Sequence, residues 1–67
     1  MAYIMITPVK NEAIHIQKTV EAVISQSEIP ELWVIVDGGS TDGTIDKVRE
    51  YMANRDWIKV IRQIEAE

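Results

Sequence analysis

Eleven residues constrain this chain more than any others: Val34-Ile35-Val36-Asp37-Gly38-Gly39-Ser40-Thr41-Asp42-Gly43-Thr44. An apolar, β-branched run stops at an acid, two glycines follow, and a cluster of hydroxyl and carboxylate side chains leads into a helical pattern from Thr44. That is a buried strand emptying into a tight polar loop that starts a helix. In open α/β sheets, ligands bind in crevices beyond the carboxyl ends of the strands. Asp37 stands at that edge.

The flanking sequence supplies matching elements. Ala2 to Ile6 is a short apolar run that Thr7-Pro8 is expected to end, because proline cannot donate to a ladder and biases the residue before it. Thr7 to Glu12 then reads as a polar loop. From Ala13 to about Gln26, the positions Ala13, Ile16, Val20, Val23 and Ile24 recur at three- and four-residue steps and define one helical stripe. Pro30 lies in the break before Leu32 to Val36, a nearly continuous apolar strand. Ile45, Val48, Tyr51 and Met52 give a second stripe, with Asp42 or Ser40 as its N-cap and Asp46 suited to the positive end of the helix dipole. Trp57 to Ile61 is a third strand, and Lys59 suggests an edge position for it.

Strand, helix, strand, helix, strand is an α/β pattern. Such crossovers imply parallel pairing and a right-handed connection. With the strands in the order 3-2-1, both helices fall on one face of a three-stranded parallel sheet, a βαβαβ Rossmann-like half-domain. The other face is then bare, whereas parallel sheets are normally covered on both sides. Further polypeptide or another copy of the chain must cover it. A homo-oligomer formed through this uncovered face is the expectation for the chain alone.

Size and charge narrow the function. With 67 residues the chain holds one small domain at most. Domains of that length bury only about 60% of the surface the unfolded chain exposes. There is no cysteine, and His15 is the only histidine, so disulfides, thiolate metal sites and histidine-rich metal sites are excluded. A net charge of −4 with scattered lysines and arginines argues against a nucleic-acid partner. No apolar run approaches the roughly 20 residues of a transmembrane helix. The N-terminal run lacks the basic flank of a signal peptide, so a cytoplasmic setting is expected.

Three motif tests on the 38–44 loop fail. A G-x-G-x-x-G fingerprint beginning at Gly38 would need glycine at Ser40. The phosphate loop G-x-x-x-x-G-K-[ST] fits Gly38 and Gly43, but its lysine position is Thr44. A receiver-type phosphoacceptor at Asp37 would want more acids at the end of the first strand, where Thr7-Pro8 stand. The combination of Thr7-Pro8-Val9-Lys10-Asn11-Glu12 with Val34 to Thr44, in this order and spacing, instead resembles the N-terminus of family 2 glycosyltransferases. The resemblance covers essentially the whole chain.

That resemblance implies the nucleotide-binding part of a GT-A fold, with residues 1–67 as its N-terminal segment, in an enzyme that uses a nucleotide-sugar donor, a UDP-sugar in particular. It implies nucleotide contacts at Thr7, Pro8 and Glu12 in the first loop and at Asp37, Gly38 and Gly39 in the second. Many members carry a second aspartate where Gly38 stands. The family holds its sugar-diphosphate through a divalent metal, Mg or Mn, at a later D-x-D motif, and its catalytic base comes later still. No catalytic or metal-binding residue is therefore assigned here, and the isolated chain is expected to be inert. Asp37 also has a purely structural reading as a turn-former, and Glu12 as a first-turn acid. Two rival functions stay open: a non-catalytic nucleotide-binding module, and a self-associating α/β unit with no ligand.

Overall fold

The computed structural model describes residues 2–63. Its elements follow in the expected order: β1 (Ile4–Val9), α1 (Ala13–Ile24), β2 (Leu32–Asp37), α2 (Thr44–Met52) and β3 (Ile58–Arg62). The strands form one sheet in the order β1-β2-β3, parallel throughout, which is the 3-2-1 arrangement read from its other edge.

Strand alternation sorts the sheet into two unlike faces. Met5, Thr7 and Val9 on β1 line up with Trp33, Ile35 and Asp37 on β2 and with Ile58, Val60 and Arg62 on β3. This face meets both helices. Val9, Trp33, Ile35 and Ile58 pack with Ile16, Val20 and Val23 of α1 and Val48 of α2 into a single core. Each helix contributes the stripe its periodicity predicts, and Ile24, Ile45, Tyr51 and Met52 border the core. The Tyr51 hydroxyl donates to the Glu21 carboxylate at 2.8 Å, joining α1 to α2.

The opposite face is open. Ile4, Ile6 and Pro8 stand beside Leu32, Val34 and Val36, with Lys59 and Ile61 completing the row. Ile4 is 62% exposed, Ile6 67% and Ile61 53%. Lys59 is the one charge in that row.

One boundary differs from the sequence reading. β1 does not stop at Thr7-Pro8 but runs through both to Val9. β1 is an edge strand, and Pro8 is placed on its free side. The Val9 carbonyl accepts from the Gly38 N–H at 2.9 Å, so the alternation turns the Pro8 nitrogen away from β2. A proline there leaves the ladder intact.

Candidate functional site

The two loops beyond the strand ends are built into each other. Asn11 adopts a left-handed backbone with φ 52°. Its N–H donates to Ser40 Oγ at 2.8 Å, and its side-chain oxygen accepts from the Thr41 N–H at 2.8 Å. The Glu12 N–H donates to Thr44 Oγ1 at 2.9 Å, and the Ala13 N–H to Asp42 Oδ2 at 3.1 Å. The first turn of a helix has N–H groups without intrahelical partners. For α1, those of Glu12 and Ala13 are satisfied by side chains some thirty residues away rather than by a local cap.

Asp42 serves both helices. Its other oxygen accepts from the Thr44 N–H at 3.1 Å and from the Thr44 hydroxyl. The N-cap of α2 is Gly43, at φ 88°, rather than Ser40 or Asp42. An L residue pays a penalty there, so glycine suits the position.

Asp37 is fully buried at the end of β2. Oδ1 accepts from the Ser40 N–H at 3.0 Å. Oδ2 is buried with no hydrogen-bond partner among the described residues, and Arg62 Nε lies 3.9 Å from it. Burial pushes this carboxyl up, but the bonds from Ser40, the Arg62 charge and the Gly39 backbone outweigh it and leave the group below its ordinary range. Asp42 is lowered as well, chiefly by the Thr44 hydroxyl, against a smaller opposing effect of burial.

These shifts set a pH dependence. Folded Asp37 and Asp42 hold protons more weakly than their unfolded counterparts, so the unfolded state takes up protons first as pH falls. Their stabilisation is complete above the unfolded carboxylate value of about 4 and is lost as pH falls below it. Thermal melts between pH 7 and pH 3 are expected to show a falling midpoint at the acid end, less steep in Asp37→Asn. A midpoint flat to pH 3 would contradict the assignment.

The strand ends carry two clefts, one on each side of the sheet. On the helix side, Asp37, Ser40, Thr44, Asp46, Arg49 and Arg62 border a space of about 230 Å³. On the open side, Pro8, Val9, Lys10, Val36, Gly38 and Gln63 border about 310 Å³. The lip of the open cleft is fixed by backbone bonds. Gly38 N–H donates to Val9 O, and Gln63 N–H donates to Asp37 O at 2.8 Å.

The residues expected at the nucleotide therefore separate. Pro8 and Gly38 share the open cleft, while Asp37 borders the helix-side cleft. Thr7 turns toward the helices, where its hydroxyl accepts from the Trp33 indole N–H at 3.0 Å. Glu12 is the N-cap of α1, and Gly39 is a turn residue at φ 102°. Neither borders either of these two clefts. Sequence reasoning did not single out Val36, Gln63, Arg49 or Arg62, whose places depend on strand register and on how α2 lies against β3.

Residues 4–67, nearly the whole chain, match the description Glycosyl transferase family 2. The chain belongs to that family. Neither the curated proteins nor the solved structures give a match to it. For this family 2 chain, the match spans every element of the fold and both loops that build the strand-end clefts.

Proposed function

We propose that this chain is the nucleotide-binding part of a GT-A glycosyltransferase that moves a sugar from a nucleotide diphosphate, UDP in the first instance, to an acceptor hydroxyl. The observation that carries the reading is the family match together with a preformed cleft at the carboxyl ends of parallel strands, where α/β sheets hold ligands. Pro8 and Gly38 would line the nucleotide's seat. Asp37 would act from beneath, holding the Gly38–Ser40 turn through its bond to Ser40, with Glu12 bracing the same loops and Thr7 tying β1 to β2 through Trp33.

The divalent metal that the family resemblance implies does not fit the residues described. Among them, no group of three or more His, Asp or Glu side chains is placed to hold a cation. The nearest strand-end carboxylate, Asp37, already faces Arg62. No step is derived through a metal, and adding Mg²⁺ is expected to change nucleotide binding little. Calorimetric titration with UDP tests the reading. Measurable heat that fits one site supports it, and the absence of binding at millimolar UDP would refute it.

We infer also that the domain is completed at the Ile4, Ile6, Leu32 and Val34 end of its open face, away from the strand-end cleft. Parallel sheets are normally covered on both faces, and Ile4 and Ile6 stand more than half exposed on this one. In a sample of this chain alone, a second copy is the available cover, since the row opposes isoleucine and valine side chains with a single lysine. Light scattering after gel filtration is expected to give a mass above 7.6 kDa, reduced by Ile6→Lys. A monomer at every concentration would contradict it. Among the described residues, no helix is long and apolar enough to cross a membrane.

A further inference from the structure

The two clefts differ in charge. On the helix side, Arg49 and Arg62 are matched by Asp37 and Asp46, and the Asp37–Arg62 pair is already in place. Among the described residues on the open side, Lys10 is the only charged one at the border, and it forms no ion pair with any of them. The rest of that border is apolar or neutral: Pro8, Val9, Val36, Gly38 and Gln63.

Gly38 accounts for part of this. Its backbone is not in the left-handed region, so its conformation does not demand glycine. A Cβ built there would meet Val9 O at 3.6 Å and the Lys10 stem at 3.8 Å, both ordinary contacts. A larger residue is therefore sterically admissible, and a carboxylate at this position would stand beside Lys10. Glycine keeps the wall low and leaves the Lys10 ammonium without a counter-charge among the described residues. The Lys10 methylenes lie along the wall, as long cationic side chains do when the stem covers apolar surface and the head stays in water.

We propose that Lys10 is the residue that meets the phosphates of the bound nucleotide, its stem walling the nucleoside while its ammonium pairs with the diphosphate. This rests on the nucleotide-binding reading above and adds the contact that distinguishes a nucleotide from its nucleoside. A charged donor to a phosphate oxygen is a strong hydrogen bond, and lysine serves such sites as a point charge.

The test compares UDP with uridine on the wild-type chain, Lys10→Met and Lys10→Arg, by amide NMR titration at low and moderate salt. Lys10→Met keeps the stem and removes the charge. It is expected to weaken UDP roughly tenfold, to leave uridine unchanged and to lessen the salt dependence of UDP binding, with Lys10→Arg restoring most of the affinity. Equal UDP affinity in wild type and Lys10→Met, with shifts still at the cleft, overturns the role of Lys10 while nucleotide binding stands. An equal loss for uridine and UDP also overturns it, since only packing would then be involved. No UDP binding by the wild-type chain overturns both.

Discussion

Trp33→Ala is expected to abolish cooperative folding. Trp33 is fully buried near the start of the middle strand, and its indole N–H is bonded to Thr7 on the neighbouring strand. Truncating a buried tryptophan costs about 3–5 kcal/mol, through lost burial and the cavity left behind. At roughly 0.05–0.15 kcal/mol per residue, a chain of this length has about 3–10 kcal/mol in total. The substitution therefore removes much of the stability or all of it. Trp33→Phe retains most of the volume and leaves Thr7 without its donor, so a smaller loss is expected. Urea denaturation followed by circular dichroism separates the two. A cooperative transition for Trp33→Ala near the wild-type midpoint would show that the core is organised around some other residue.

Thr44→Val should have the next largest effect, although it preserves shape. Thr44 is buried, accepts from the Glu12 N–H at the start of α1 and donates to Asp42, which itself accepts from Ala13. Replacing the hydroxyl with a methyl strands a helix N–H and loosens the Asp42 contact. Leaving such a group unsatisfied costs about 1–3 kcal/mol. Hydrogen exchange locates the loss: the amides of Glu12 and Ala13 should open before those of β2. Unchanged protection at both amides would show that the interlocked loops are incidental to the stability of α1.

The periodicities carried the fold legibly. Ile16, Val20 and Val23 at helical spacing, and a β-branched run closing on Asp37, are local signals, and the parallel order follows from crossover geometry. Pro8 misled because its effect depends on whether the strand lies at an edge, which only the pairing reveals. The site was less legible. Asp37 ends its strand as read, but the parity of Val36 and Asp37 decides which side of the sheet each side chain takes. That parity sends the carboxylate to the helices and leaves Pro8, Val36 and Gly38 on the other side. The bonds of Asn11, Glu12 and Ala13 to Ser40, Thr44 and Asp42 join positions 29 to 32 residues apart. No local pattern encodes them.

Nucleotide is proposed to sit in the open-face cleft at the strand ends. An amide NMR titration of the chain with UDP tests it most directly. Shifts are expected at Val9, Lys10, Val36, Gly38 and Gln63, with Arg49 and the first turn of α2 nearly still. Shifts gathered instead on Ser40 to Asp46 and Arg49 would place the ligand across the sheet and contradict it.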